Sequence, residues 1–373
     1  MFQTPVRALV ALRPNVPALV LTATAVSTVV FTTTPFLVTG LAEQFEISPG
    51  RVGLISSTQL AGFVVSSWGA GRVLRPRRRI MVMAVVLGMI ANATSAIAGF
   101  EVLLALRFAS GVALGTIAWL AWAEVFGEDE RVGDVAVIGP IVGTIASPIV
   151  AAVIDLAGPP EMYLALGALH VVPLLFVSSS RLTSGDRIRA ERHRPRAEAL
   201  AAMVALGVFT LGGSAVFIFT SSIAQGPVGM SAVTASLVFS VNSIAGIPSA
   251  RFRGARQHAG AWIAVTALAA ATIAIVHHPL AFIAGMVAWG FGFWMAVPAA
   301  FSVLADHSTY PAERAGDAQA YMAMGRVVGP MVGGLLYDVG PVVLGLVGGL
   351  LMASAGGVMA VLARRPVARL STA

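Results

Sequence analysis

Most of the chain consists of apolar, uncharged runs that are each long enough to cross a bilayer. Such runs occupy residues 14–42, 52–71, 80–100, 135–154, 162–180 and 339–363. A transmembrane helix needs about 20 apolar residues, and in lipid its backbone must satisfy its own hydrogen bonds. With 57% hydrophobic and 11% charged residues, the composition excludes an ordinary soluble domain. The sequence therefore predicts an all-α protein embedded in a lipid bilayer.

Two longer apolar stretches and two arginine-containing stretches raise the number of predicted spans to twelve. Residues 199–250 are interrupted at residues 225–227, and residues 257–305 at residues 277–279. The spans at residues 102–123 and 318–337 contain Arg107 and Arg326. We expect two six-helix bundles, residues 1–180 and 199–373, joined by a basic linker at residues 181–198.

The positions of the arginines predict the orientation of these helices. All 24 basic residues are arginine, and 21 of them lie on one side if the N-terminus is cytoplasmic. Only Arg51 lies on the other side, and Arg107 and Arg326 lie within spans. Because cytoplasmic loops are enriched in basic residues, we expect both termini in the cytoplasm. We also expect the membrane to be the inner membrane of a bacterium. The net charge of +7 then reflects topology and anionic lipid, and not nucleic-acid binding.

Small residues at helical spacing mark two of the spans. Span 11 contains Gly316, Gly325, Gly329, Pro330, Gly333 and Gly334, and a weaker copy in span 5 contains Gly143, Ser147, Pro148, Ala151 and Ala152. Glycines four residues apart share one helix face and permit close helix contact in lipid. The residues predicted to serve in gating and helix packing are Gly143, Pro148, Gly325, Gly329, Pro330, Gly333 and Gly334, together with Gly111 and Gly115 of span 4. The alternative is packing alone, against helix 8 or another neighbour.

Several motifs resemble those of the major facilitator superfamily over essentially the whole chain. Residues 107–115 match its R-x-x-x-G pattern through Arg107, Gly111 and Gly115, and residues 33–41 resemble the end of helix 1 in twelve-helix drug:proton antiporters. Residues 69–79 match its helix 2–3 loop in part, with Gly71 in place of the aspartate before Arg72. The resemblance implies alternating access between two bundles, with Arg72 and Asp317 as candidate gating charges.

The intramembrane arginines are the leading candidates for substrate binding. A charge within a span is costly unless it is paired or faces water, and guanidinium groups bind carboxylates or phosphates. Arg326 lies about 100° round the helix from Gly325, so it can face a cavity. The alternative for Arg107 is local pairing or extension to the interface. From the helices 1, 4, 7 and 10 that the family uses, further candidates are Trp119, Thr210, Ser214, Phe217, Trp289, Phe293 and Trp294. Gln59 in span 2 and Asn242 in span 8 add amide groups. The aromatic residues among these candidates could equally pack helices.

Proton carriers are scarce, because no Asp or Glu lies deep in any span. Helix 1 also lacks the carboxylate that drug:proton antiporters usually place there. The remaining candidates for proton coupling are His170 and the acids at helix ends, which are Glu124, Asp134, Asp155, Asp317 and Asp338. His170 lies midway along span 6, and its near-neutral intrinsic pKa suits proton transfer. The alternative to proton coupling is that His170 forms a hydrogen bond and packs between helices.

Three functional hypotheses remain open. The first is a monomeric, proton-coupled exporter of amphipathic small molecules, and the second is an organic-anion carrier that uses the intramembrane arginines. The third is a non-transporting membrane scaffold or receptor. An enzyme is not expected, because no nucleophile–base set, phosphate-binding loop or metal-ligand cluster is present and the chain has no cysteine. We expect no cofactor.

Overall fold

The computed structural model describes residues 16–74, 77–125, 129–179, 193–252 and 256–365, and these form twelve helices. The first half of the chain contains α1 (Ala18–Gln44), α2 (Pro49–Val73), α3 (Arg78–Ser95), α4 (Phe100–Val125), α5 (Asp129–Ala157) and α6, whose segments are Pro159–Leu169 and Val171–Leu175. The second half begins with α7, whose segments are Ala197–Phe217 and Thr220–Gln225, and continues with α8 (Ala232–Phe252), α9 (Ala259–Ile275), α10 (Pro279–Asp306), α11 (Pro311–Val339) and α12 (Pro341–Arg364).

Helix boundaries follow local signals in the sequence. Five helices (α2, α6, α10, α11 and α12) begin with proline, which has no N–H to leave unpaired in the first turn. Ser48 caps α2 by accepting a hydrogen bond from the N–H of Arg51 at 3.2 Å. The predicted interruptions near residues 226 and 278 are confirmed, because α7 ends at Gln225 and α10 begins at Pro279.

Eight of the helices in the described part of the chain are long and apolar enough to cross a membrane. They are α1, α3, α4, α5, α7, α8, α10 and α12, and α9 is apolar but shorter. Large apolar side chains point away from the protein along them, including Met83, Leu268 and Leu350, which are each about 70% exposed. The chain is therefore a multi-pass membrane protein, as predicted.

Small residues bring the helices together within each half. In the first half, a Cβ on Gly111 or Gly115 would overlap α2 at Gln59 and Phe63. In the second half, Gly260 of α9 lies against Gly356 of α12. In lipid, where apolar burial does not drive helices together, such close backbone contact is the main source of association.

The two halves contact each other mainly toward one end of the bundle. We call this the hairpin end, because residues 45–48, 96–99, 226–231, 276–278 and 340 connect helices there, and the opposite end the linker end. The main contacts across the halves join α2 to α11, α5 to α8, and α1 to the second segment of α7. The rings of Phe36 and Phe239 lie 4.8 Å apart, and the Thr39 hydroxyl lies 3.2 Å from that of Ser222. These contacts close the hairpin end.

Candidate functional site

A cavity of about 330 Å³ lies between the two halves, near the middle of the helices. Among the described residues, the first half supplies Phe31, Pro35 and Leu60 to the lining. The second half supplies Phe209, Thr210, Gly213, Ser214, Phe217, Ile218, Asn242, Trp289, Gly290, Phe293, Trp294, Arg326 and Met352. A volume of this size lies within the range of small-molecule sites, roughly 300–1,000 Å³.

Six of the sixteen described lining residues of the cavity are aromatic. Phe217 lies 5.6 Å from Trp289, and Phe209 stacks on Phe293 at 5.8 Å, measured between ring centroids. The ring of Trp294 lies directly over Gly246 of α8, where a Cβ would meet it at 2.6 Å. These contacts fix the rings in place, so the wall is preformed for a flat apolar ligand.

Polar groups in the wall are mostly occupied by neighbouring backbone. The Asn242 amide donates to the carbonyl oxygen of Met286 at 2.7 Å, which ties α8 to α10. The Thr210 hydroxyl lies 2.9 Å from the carbonyl oxygen of Met322, and Ser214 lies 3.4 Å from that of Gly325. These hydroxyls join α7 to α11, so they stabilise the site as well as lining it.

Arg326 is the charged residue of the cavity wall. It projects from the middle of α11 and is partly exposed to the cavity. Among the described residues, none forms a hydrogen bond or an ion pair with its guanidinium group. No acidic residue lines the cavity in the part of the chain that is described. The cavity therefore presents one uncompensated positive charge inside an aromatic wall.

The glycines of α11 explain why Arg326 faces the cavity. A Cβ on Gly325, Gly329 or Gly333 would overlap α7, so this face of α11 packs against α7 without a gap. Arg326 follows Gly325 and is rotated about 100° from it, away from α7. The helix that packs against these glycines is α7. It is not α8, which the sequence left open as one possible partner.

Arg107 lies outside the central cavity, within the first half, and is 1% exposed. Its Nη1 donates to Asn92 Oδ1 at 3.0 Å, and its Nη2 donates to the Ser95 hydroxyl at 2.7 Å and to the Ala91 carbonyl at 3.2 Å. Its guanidinium carbon lies 4.6 Å from the centre of the Tyr163 ring. This arrangement matches the local-pairing alternative from the sequence.

Two other substrate candidates also lie away from the central cavity. Gln59 is 3% exposed and lines a small separate void beside Arg107. Trp119 is partly buried and packs against the apolar cluster that contains Leu19, Met81 and Leu120. The candidates that the structure does bring together are Thr210, Ser214, Phe217, Asn242, Trp289, Phe293, Trp294 and Arg326. Sequence reasoning missed Phe31, Phe209 and Met352, which lack any local signal for a site.

Other predicted residues fall at the contacts between helices. Gly334 and Pro330 of α11 face Gly50 and Gly53 of α2, and Gly143 faces Ser243 of α8. Pro148 lies inside α5. Asp317 pairs with Arg314 at 2.6 Å, and Arg314 also donates to the carbonyl oxygen of His193 at 2.6 Å. The side chains of Arg72, Glu124 and Asp134 lie outside the described residues.

His170 lies at the break between the two segments of α6 and is fully buried. Its Nδ1 is 2.7 Å from the carbonyl oxygen of Leu166, and among the described residues its Nε2 has no hydrogen-bond partner. A Cβ on Gly88 of α3 would lie 2.6 Å from that nitrogen. His170 is therefore packed between α3 and α6, as the alternative from the sequence states.

Comparison with known families identifies the architecture. The family profile of the Major Facilitator Superfamily matches residues 19–334. The chain belongs to this superfamily. The resemblance seen in the sequence is thus confirmed, and its drug:proton antiporter branch stays a prediction.

Solved structures of transporters share the same fold. One is a bacterial homologue of the human lysosomal transporter Spinster in an inward-facing and occupied conformation, with a TM-score of 0.73 and 13% sequence identity over 97% of this chain and 95% of that one. Another is the human organic anion transporter MFSD10 (TETRAN), with a TM-score of 0.62 and 15% identity over 96% of this chain and 100% of that one. A comparison with curated protein sequences gives no match.

Proposed function

We propose that this protein is a secondary active transporter that carries amphipathic organic anions across the cytoplasmic membrane. The observation that carries the proposal is Arg326, a guanidinium group without a protein partner among the described residues, inside an aromatic cavity. All twelve helices span the bilayer in this proposal, and both termini are cytoplasmic. The arginine distribution supports that orientation.

The charge on Arg326 favours a negatively charged ligand. Keeping a guanidinium in a partly buried site without a counterion is unfavourable, and a carboxylate, sulfonate or phosphate removes that cost with bidentate hydrogen bonds. The surrounding rings favour an aromatic or flat apolar body attached to the anionic group. Together, these two features describe an aromatic organic anion of a size that fits about 330 Å³.

Alternating access would use the contacts between the halves. In the described conformation the hairpin end is closed by α1–α7 and α2–α11 contacts, which supports an inward-facing state under the predicted orientation. Transport then requires these contacts to break and the linker ends of the halves to approach each other. Proton coupling through His170, Glu124 or Asp134 forms a separate hypothesis, because His170 is buried between α3 and α6, away from the cavity, and the side chains of the other two lie outside the described residues.

A matched series of naphthalene compounds tests the proposal. The purified protein in liposomes is given 1-naphthalenesulfonate, 1-naphthalenesulfonamide or 1-naphthylmethylammonium, which share one ring system and differ in charge. Retained compound is measured by liquid chromatography, with a pH-sensitive dye in the lumen to record proton movement. We expect uptake of the sulfonate, and a loss of about tenfold or more in Arg326→Ala, because a charge-assisted hydrogen bond contributes about 1.5–3 kcal/mol.

Two further variants sharpen the test. Arg326→Lys keeps the charge and loses the planar fork, so we expect partial activity. Arg51→Ala is the matched control, because Arg51 is an exposed arginine at the hairpin end that pairs only weakly with Glu101, at 3.4 Å. An anion carrier would be contradicted if the sulfonamide and the ammonium compound were taken up as fast as the sulfonate and if Arg326→Ala left all three rates unchanged. That outcome would favour the exporter of neutral or cationic amphipaths.

A further inference from the structure

A second, closed cavity lies inside the first half of the protein, between α1, α2, α4 and α6. Its volume is about 10 Å³, and its polar lining residues are Thr34, Ser56, Gln59, Arg107 and Tyr163. The remaining lining residues are apolar: Val30, Leu37, Val38, Leu41, Val52, Ile55 and Leu166. This cavity is separate from the central one, since the two share no lining residue among those that the structure describes.

Unused hydrogen-bond donors surround this small cavity. Arg107 Nε, Gln59 Nε2 and the Tyr163 hydroxyl are buried and have no hydrogen-bond partner in the described part of the protein. All three residues line the same void. Arg Nε and the Gln amide nitrogen can only donate, so the missing partner must be an acceptor. Buried donors rarely remain unpaired in folded proteins, which indicates that the void is occupied in the folded protein.

The charge of Arg107 distinguishes between the possible acceptors. Its protein partners are the Asn92 amide oxygen, the Ser95 hydroxyl, the Ala91 carbonyl and the Tyr163 ring, all of them neutral. No carboxylate forms an ion pair with it in the part of the chain that is described. A water molecule would satisfy the donors and leave the charge uncompensated, whereas a small anion would satisfy the donors and balance the charge.

We propose that the closed cavity beside Arg107 binds one chloride ion. The void admits one water-sized species, which needs about 10–15 Å³, so a chloride ion, being larger than water, enters only with a slight outward movement of the surrounding side chains. Chloride is monatomic and accepts from several donors at once, as the arrangement of Arg107, Gln59 and Tyr163 requires. The four helices around the void would thereby be joined through one ion. The role of this site is structural and does not depend on what the central cavity carries.

Thermal unfolding in different sodium salts tests the proposal. The full-length protein in detergent is compared in chloride, bromide and gluconate at constant ionic strength, since gluconate is too large for the void. All samples carry Arg326→Ala, so that anion binding in the central cavity does not contribute. We expect a saturable rise in the melting temperature with chloride and bromide and none with gluconate. Crystals grown in bromide should show an anomalous peak beside Arg107.

Conservative variants link the effect to this site. Gln59→Leu and Tyr163→Phe each remove one donor at nearly constant volume, and each should raise the half-maximal chloride concentration about tenfold. Arg107→Met should abolish the chloride effect, and the two milder variants retain the test if Arg107→Met does not fold. Arg51→Ala should respond to chloride like the parent. Equal shifts in chloride and gluconate, or an unchanged chloride response in both milder variants, would overturn the proposal and leave a water molecule in the void.

Discussion

The carboxylate of Asp338, at the end of α11, accepts a hydrogen bond from the backbone N–H of Gly50, in the first turn of α2, at 2.9 Å. Its second oxygen accepts from the Ser48 hydroxyl at 2.7 Å. Asp338 thus binds the N-terminus of a helix from the other half of the chain, where the unpaired N–H groups and the helix dipole favour negative charge. We call this contact the Asp338 latch.

Removing the charge of Asp338 should weaken the closure of the hairpin end. In Asp338→Asn the carboxylate is replaced by a neutral group of the same shape, and we expect a loss of about 1–2 kcal/mol from the closed state. Because the chain has no cysteine, spin labels can be placed at Ile97→Cys and Leu280→Cys alone, one in each half at the hairpin end. The distance distribution between the labels should shift toward longer distances.

Asp155→Asn provides the control for the latch, because Asp155 is an exposed acid near the same end of α5. Its label distances should match those of the parent. If Asp338→Asn also leaves the distribution unchanged, the latch does not hold the halves together.

A methyl group on Gly334 should hinder closure of the hairpin end through steric overlap, without any change of charge. Its Cβ would overlap the carbonyl oxygen of Gly50, a backbone atom that cannot turn aside. We expect Gly334→Ala to fold and to lose transport about tenfold or more. Gly316→Ala is a matched control on the same helix, since a Cβ there meets no atom within 4 Å. Equal transport in the two variants would show that the α2–α11 contact is not rate-determining.

Substitution of Gly329 should act on stability within the second half. A Cβ there would overlap the Ser214 hydroxyl and the backbone of α7, and overpacking of this kind costs about 1–3 kcal/mol. Gly329→Ala should therefore lower the melting temperature, whereas Gly316→Ala should leave it unchanged or raise it, because alanine is the better helix former. A Gly329→Ala protein as stable as the parent would contradict close α7–α11 packing.

Arg326 should contribute to function at the expense of stability. Replacing it with methionine removes an uncompensated charge and keeps an apolar chain of similar length, so we expect the ligand-free melting temperature to rise by about 2–4 °C. Uptake of 1-naphthalenesulfonate should be lost in the same variant. A fall in melting temperature, without loss of uptake, would indicate that Arg326 stabilises the fold instead of binding a ligand.

The sequence predicted the helices well because its signals for them are local. Apolar length, proline at helix starts and the interruptions at residues 226 and 278 each act over a few residues. The choice of partner helix is not local, because in lipid the faces toward protein and toward acyl chains are both apolar. This is why the glycines of α11 were recognised but their partner α7 was not singled out.

Part of the site could be predicted from the sequence, because some of its signals are local and others depend on tertiary packing. Arg326 could be found because an intramembrane charge is costly wherever it lies. Arg107 satisfied the same rule, yet its environment depends on Asn92 and Ser95 of α3, which follow from tertiary packing alone. The Asp338 latch joins residues 288 positions apart, and Asp338 accepts from the backbone of Gly50 and from Ser48, an ordinary helix-capping serine. No local sequence pattern therefore predicts the contact.

The two halves contribute unequally to the wall of the central cavity, so one half is expected to set the ligand preference. Among the described residues, the first half contributes only Phe31, Pro35 and Leu60, while the other aromatic residues of the wall and Arg326 come from the second. In a chimera that joins this second half to the first half of a related transporter, ligand preference should travel with residues 197–365.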